Sequence, residues 1–296
     1  MNSSYTIRCG KYINDDAQIK DKIVIVTGCN TGIGKATALE LAKRGGKIYF
    51  ACRSESKAME ALNEIKQLSG NDNLHFLQLD LGSLDSIREF SKRFHELENR
   101  LDILVNNAGV LSPLVQTTDG FEANIGINHL GHFLLTNLLL DLLKASSPSR
   151  IIVVASKLHK IGSINREDFN SEKSFAGTWK SYANSKLCNL LFMRELSKRL
   201  EGTGVTINAL CPGAVRTEAG RSLNPVMKFV LNQAMKVFYK SPELGCQTVL
   251  FLSVEPSIAK ESGGYYVDCK KTEPSNNAKN DDDAKWLWNM SEQLTG

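Results

Sequence analysis

Ile23-Val24-Ile25-Val26-Thr27-Gly28-Cys29-Asn30-Thr31-Gly32-Ile33-Gly34 runs from a β-branched stretch into a glycine-rich turn, and an alanine-rich helical stretch follows. Four β-branched apolar residues in succession read as a strand buried on both faces. Glycines permit a tight turn and a close approach of ligand to backbone, and the next helix aims its N-terminus at that turn. Strand, glycine turn and helix together form a dinucleotide-binding unit, here spaced G-x-x-x-G-x-G rather than the commoner G-x-G-x-x-G. Gly28, Asn30, Thr31, Gly32, Ile33 and Gly34 are therefore expected to hold the pyrophosphate of a dinucleotide.

The alternation continues outward from this unit. Residues 22–26, 47–52, 74–79, 102–105, 150–155, 205–210 and 264–267 read as strands. Residues 33–43, 57–68, 84–97, 124–144, 179–200 and 242–252 read as helices. Short apolar strands separated by amphipathic helices mean βαβ units, with a parallel sheet covered on both faces. The expected fold is α/β, a doubly wound Rossmann-type domain with seven parallel strands. Residues 1–20 read as a polar N-terminal arm and 21–296 as one domain without internal repeats. Asp281-Asp282-Asp283 reads as an acidic helix start, with Trp286, Met290 and Leu294 as its packing stripe.

Composition narrows the function. The chain has 296 residues, 42% of them hydrophobic, and a formal net charge of +4, too small by itself to argue for nucleic acid. Basic residues are dispersed among acidic ones, with no aromatic and basic stripe for single strands. The seven cysteines include no C-x-x-C pair, which suggests reduced thiols, and the five histidines have no metal-ligand spacing. His129 and His132 read as structural, and no metal is expected. No stretch reaches the roughly 18 apolar residues of a membrane span, and the first twenty resemble neither signal peptide nor anchor, so the expected location is cytoplasmic.

Two further clusters refine the chemistry. An acidic residue at the end of the second strand would bind the ribose 2′-hydroxyl of NAD, but this chain has Ala51-Cys52-Arg53-Ser54 with Lys57 close behind. Arg53 can meet a 2′-phosphate, which points to NADP(H). Asp80 and Leu81 follow the third strand, where a carboxylate can bind the adenine edge, and Asn106-Asn107-Ala108-Gly109 ends the fourth at the ligand-binding side. Tyr182 and Lys186 then share one face of a helix. An ammonium beside a phenol favours the phenolate, and lowering the phenol from about 10 to about 7 takes roughly 4 kcal/mol, as expected of a desolvated pair with a cationic nicotinamide nearby. Alone such a pair is usually an ordinary helix face; with the glycine turn upstream it becomes the main clue to an enzyme.

These motifs, in this order, resemble the short-chain dehydrogenase/reductase superfamily, specifically its retinol dehydrogenase-like branch. The likeness runs from about residue 20 to the C-terminus and includes Thr27-Gly28 through Gly34, Ala51-Cys52-Arg53, Asn106 through Gly109, Asn128-His129-Leu130-Gly131-His132-Phe133, Tyr182-x-x-x-Lys186 and Asp268-Cys269. The resemblance implies a tetrad. Tyr182 would be the general acid or base, and Lys186 would hold the nicotinamide ribose and lower the tyrosine pKa. Ser156 would orient the substrate oxygen, and Asn128 would hold a water linking Lys186 to solvent. Pro212, Gly213, Val215 and Thr217 would pass beside the nicotinamide and expose its pro-S hydride. Ala155-Ser156 keeps only the second of two serines common in the family, and Cys29 stands where alanine is common.

Residues 221–240 would be the substrate-capping segment, basic and apolar, suited to a greasy carbonyl or alcohol and to contact with an anionic membrane or lipid droplet. The family points to retinal and lipid-derived aldehydes. Two other readings stay open at this stage: a non-catalytic dinucleotide sensor, and a peripheral lipid-surface protein. Phe133-Leu134-Leu135 and Leu190-Leu191-Phe192-Met193 exceed what one buried face needs, and related enzymes pair these helices, so a homodimer is expected.

Overall fold

Along each central strand, successive side chains enter two different cores. The computed structural model describes residues 6–8, 11–14, 17–215 and 240–296. Strands β1 (Thr6–Arg8) and β2 (Lys11–Ile13) form an antiparallel pair apart from the main sheet. Strands β3 (Ile23–Thr27), β4 (Lys47–Cys52), β5 (Leu74–Gln78), β6 (Ile103–Asn106), β7 (Ser149–Val154), β8 (Val205–Cys211) and β9 (Tyr265–Val267) run parallel in one sheet. The two-residue β10 (Lys270–Lys271) adds an antiparallel edge to give the order β10-β9-β8-β7-β6-β3-β4-β5. The seven parallel strands are those read from the sequence. The eighth is two exposed lysines, without apolar signal, closed onto β9 by Asp268 and Cys269 at φ 51° and 59°.

On β3, Ile23 and Ile25 enter one core while Val24 and Val26 enter the other; β6 and β7 divide in the same way. The period of two with both faces apolar is what distinguishes a parallel sheet under two helical layers from a one-sided sheet. Helices α1 (Gly32–Lys43) and α2 (Glu55–Ser69) cover the second face with the helix Gln247–Val254. Helices α3 (Leu84–Leu97), α4 (Ala123–Ile125), α5 (Gly131–Leu138), α6 (Leu140–Ala145) and α7 (Thr178–Arg199) lie on the first, with the C-terminal helix Asp281–Thr295. Within the N-terminal twenty residues, Tyr12, Ala17 and Ile19 are buried in the second core. The Tyr12 hydroxyl donates to Glu255 at 2.8 Å.

Two expectations change. The continuous helix over 124–144 is broken by a π-helical stretch, Gly126–Leu130, and again at Leu139, whose φ and ψ are −109° and 5°. A π-turn inserts a residue into the helical ladder and re-aims its side chains, which spacing alone does not reveal. The buried stripe of the C-terminal helix is Ala284, Leu287, Trp288, Ser291 and Thr295, while Trp286, Met290 and Leu294 lie at its half-buried flanks. Trp286 instead meets Phe169 and Arg166 at centroid distances of 5.6 and 5.5 Å.

Phe133, Leu134, Leu135, Leu190, Leu191, Phe192 and Met193 are all buried within this single chain. Trp288 packs against the two phenylalanines, with its ring 4.9 Å from Phe133 and 6.1 Å from Phe192, and Asp281 ties the helix to Arg194 and Lys198 of α7 at 2.6 Å each. The chain's own C-terminal helix therefore packs against both of these helices. Among the described residues no helix is long and apolar enough to cross a membrane.

Candidate active site

The chain builds β3, β4 and β5 outward in one direction, then returns to lay β6 on the other side of β3. That reversal opens a crevice at the carboxyl ends of β3 and β6, where open α/β sheets bind ligands. Gly28, at φ 64°, forms one lip, and a Cβ there would stand 2.9 Å from the Ala108 Cβ on the other. A cavity of about 760 Å³ begins at this crevice. Every residue assigned to the turn, the adenosine end and the Asn107-Ala108-Gly109 loop lines it, as do Ser156, Tyr182, Lys186, Pro212, Gly213 and Val215. Asn128 stands behind the wall, not in it, and Thr217 lies outside the described residues. So does residue range 221–239 of the capping segment; its last residue, Lys240, is described, and its amide donates to the Ala214 carbonyl at 2.8 Å beside Val215.

The pyrophosphate end suits an anion. Thr31 begins α1 without a side-chain cap, and the first turn of α1 carries no acidic residue. Its free amides and the positive end of the helix dipole therefore face the cavity without an internal anion. Gly34 is packed so closely that a Cβ would lie 2.5 Å from Asn107 Nδ2. Further along the cavity, the Arg53 guanidinium is 62% exposed and stands 4.0 Å from the Asp80 carboxylate, whose other oxygen accepts from the Gly82 amide at 2.9 Å. Arg53 is thus free to move onto a ligand, while Asp80 is held.

A hydrogen-bond chain fixes the crevice. Burial pushes His132 down to about 4, so the ring is neutral near pH 7. Its Nδ1 lies 3.1 Å from the Asn128 carbonyl, which can only accept, so Nδ1 carries the proton and Nε2 accepts. The Thr27 hydroxyl, 2.9 Å from Nε2, then donates to it, and its lone pairs accept the Asn107 and Ala108 amides at 2.9 Å each. His132 thereby orients the loop through Thr27. Sequence gave no hint of this, because the three elements meet only in the fold.

At the other end, Ser156 closes β7 and hydrogen-bonds the Tyr182 phenol. His159 Nδ1 reaches the Ser156 carbonyl at 2.6 Å, and Nε2 accepts the Ser275 amide at 3.1 Å, so this ring pins the serine's backbone. Lys186 Nζ lies 5.6 Å from the Tyr182 ring centroid and donates to the Val154 carbonyl at 3.0 Å. A Cβ on Gly109 would come within 3.3 Å of that Nζ and 3.2 Å of Asn128 Oδ1, so the loop passes close against both groups. Asn128 spends both side-chain donors inside, on the Val110 carbonyl and Ser185 Oγ at 2.9 Å each, and its Oδ1 accepts the Val110 amide at 2.8 Å. Leu111, Leu158 and Trp179 add an apolar wall that the sequence reading missed, although Trp179 stands one helical turn before Tyr182.

Burial dominates the electrostatics of this pair. The Tyr182 phenol is pushed up to about 12, chiefly by burial, with the Ser156 hydrogen bond opposing. Burial lowers Lys186 to about 8. Burial thus acts on both members of the pair, raising the phenol and lowering the ammonium. A phenol so shifted is fully protonated near pH 7, the form a proton donor needs.

Comparison with known proteins agrees with this geometry. A family model described as short chain dehydrogenase matches residues 22–228. Human retinol dehydrogenase 13 is 48% identical over 95% of this chain and 86% of its own, and human retinol dehydrogenase 14 is 44% identical over 95% and 88%. A crystal structure of an uncharacterized protein from Mycobacterium paratuberculosis superimposes with a TM-score of 0.77 at 32% identity, covering 94% of each chain. A short chain dehydrogenase from Escherichia coli CFT073, complexed with NADPH, has a TM-score of 0.68 at 21% identity, covering 87% of this chain and 100% of that one, a likeness of fold alone. With a match across most of its length and a dinucleotide crevice at the switch point of its sheet, the chain belongs to the short-chain dehydrogenases, in their retinol dehydrogenase-like branch, a family of nicotinamide-dependent oxidoreductases.

Proposed function

We propose that this oxidoreductase uses NADP(H) and reduces a hydrophobic carbonyl, retinal or a lipid-derived aldehyde, or oxidises the matching alcohol. The observation that carries the reading is one cavity with two chemically different ends: Arg53 and Lys57 at one, and Ser156, Tyr182 and Lys186 beside an apolar wall at the other. A nicotinamide supplies hydride chemistry when bound; the chain supplies position and a proton. Arg53 and Lys57 offer positive charge to a 2′-phosphate, and no carboxylate in the chain segment 51–57 repels it except Glu55 on the first turn of α2. The uncapped start of α1 receives the pyrophosphate.

At the reacting end, Ser156 would hold the substrate oxygen by a hydrogen bond while Tyr182 gives it a proton. Lys186 would hold the nicotinamide ribose, and its charge stabilises the phenolate left after transfer. Leu111, Leu158 and Trp179 offer apolar contact to a long, greasy substrate. The human relatives are named for retinol, which makes retinoids the first substrates to try.

The test is product formation by the purified protein with all-trans-retinal, comparing NADPH with NADH and the unaltered chain with Arg53→Ala. Retinol should form faster with NADPH, and Arg53→Ala should lower that preference about tenfold, the order of one charge-assisted hydrogen bond at an exposed site. Equal rates with both dinucleotides would sink the NADP(H) reading. Reduction of other apolar aldehydes but not retinal would leave the chemistry and remove the retinoid.

A further inference from the structure

Six of the seven cysteines fall within the described residues, and all six are buried. Two of them face each other inside the dinucleotide site. Cys29 is in the glycine turn after β3, Cys52 is the last residue of β4, and their sulfurs are 3.8 Å apart. The backbones are already tied at this point, because the Gly28 amide donates to the Ala51 carbonyl at 2.9 Å. Cys52 lines the cavity directly in front of Arg53, whereas Cys29 lies behind it and is 0% exposed. Nothing in the proposed reduction uses either thiol.

The two sulfurs are also unlike. The amides of Gly28, Cys29 and Asn30 and the Cys29 thiol all hydrogen-bond toward Cys52, and with the Cys29 thiol contributing most they hold it below the ordinary thiol value. Burial holds Cys29 well above it. Cys52 is therefore the nucleophile that an oxidant entering the cavity meets first, and Cys29 is the resolving thiol behind it.

We propose that Cys29 and Cys52 form a reversible disulfide that disables the dinucleotide site, and that a bound dinucleotide, by covering Cys52, prevents it. With a hydroperoxide as oxidant, the Cys52 thiolate attacks the peroxide oxygen, forming a sulfenic acid and, with a proton, releasing water. Cys29 then attacks that sulfur, forms the S–S bond and expels a second water. Two thiols are oxidised by two electrons in all, and one hydrogen peroxide is reduced to two waters. A dithiol reductant reverses the bond by exchange. Closing the sulfurs from 3.8 Å to a bond of about 2.05 Å draws the turn toward the end of β4. That movement displaces the turn amides that face a pyrophosphate and shifts Arg53, the residue next to Cys52.

The experiment treats the purified full chain with hydrogen peroxide, with and without prior NADPH, then alkylates free thiols and maps peptides by mass. NADPH binding is read in parallel by nucleotide fluorescence. The expected result is a Cys29–Cys52 linked peptide, at least a tenfold loss of NADPH affinity, recovery with dithiothreitol, and slower linkage when NADPH is present first. Cys29→Ala should show no peroxide-dependent change in affinity, whatever affinity it starts from, and Cys52→Ala serves the same purpose should that variant not fold. Peroxide that leaves both thiols free while Cys211, also on the cavity wall, is oxidised would overturn the proposal. So would a linked peptide without loss of affinity, or linkage at the same rate with NADPH bound. Absence of NADPH binding before any treatment would instead count against the NADP(H) reading above.

Discussion

The two ends of the central sheet treat a buried charge in opposite ways. At the amino ends of β3 and β6, the Asp102 carboxylate is 2% exposed and fully engaged: one oxygen meets Lys22 at 2.9 Å and Arg100 at 2.7 Å, the other the Ile23 amide at 2.9 Å. At the carboxyl ends, Lys186 is as deeply buried, yet its ammonium makes one hydrogen bond, to the Val154 carbonyl, and among the described residues no carboxylate lies within ion-pair distance. The helix starts differ in the same sense. Ser83 caps α3 and Asn280 caps the C-terminal helix, both followed by acidic residues, while α1 has neither cap nor acid. An unpaired buried charge costs several kcal/mol, so the fold tolerates at one end what it avoids at the other. On the proposed function, the uncapped start of α1 would meet the anionic pyrophosphate and Lys186 the ribose hydroxyls.

The sharpest way to break this contrast is Tyr182→Phe. In the proposed reaction it removes the proton donor to a substrate oxygen held by Ser156, so kcat should fall by about 10²–10⁴-fold. Dinucleotide affinity should change little, because the phenol is at the reacting end. A variant retaining more than a tenth of kcat would show that the open end does not work through this phenol.

Lys186→Met comes next, and its effect is on stability as well as activity. The folded lysine sits at about 8 against an ordinary 10.5, so between those values the unfolded chain holds a proton that the folded chain has released. Stability from this group therefore rises with pH across that window and is lowest below about pH 8. The shift corresponds to about 3 kcal/mol. The methionine variant should resist urea better than the unaltered chain at pH 7 by up to that amount, with the gap narrowing by pH 9.5, while turnover collapses. A variant less stable at pH 7 would mean the ammonium is better solvated than its burial implies.

Much of this contrast is already visible in the chain's local patterns, and the remainder is not, for identifiable reasons. The β-branched run before Gly28 and the arginine after the second strand are contiguous signals, so the turn, the sheet and the adenosine end could be read directly. The Tyr182–Lys186 pair could be read for proximity, because helical spacing fixes it, but not for pKa, because burial comes from β7, β8 and the crevice loop together. The His132–Thr27–Asn107 chain spans three distant segments and has no sequence period. Trp288, not Trp286, faces the core because the Asn280 cap and the ion pairs of Asp281 with Arg194 and Lys198 set the rotation of the last helix. Single-face periodicity could not choose between those two tryptophans two residues apart. The same helix packs against α5 and α7, a contact that their own spacing could not assign to it.

The smallest effect should come from the closed end. Asp102→Asn removes charge while leaving an oxygen that can still accept the Ile23 amide. The partners it loses are side chains 39% and 41% exposed, which water can solvate in its place. The expected cost is therefore about 1–2 kcal/mol, less than for breaking a pair whose remaining member stays buried. Urea unfolding should register that loss, and KM for the dinucleotide should not move, since β3 and β6 separate the substitution from the crevice by their full length. A change in dinucleotide KM as large as the change in stability would show that the strands transmit strain from one end to the other. The contrast would then describe one coupled electrostatic system, with the paired carboxylate helping to set the geometry of Gly28 and Ala108 rather than only anchoring the far end of the sheet.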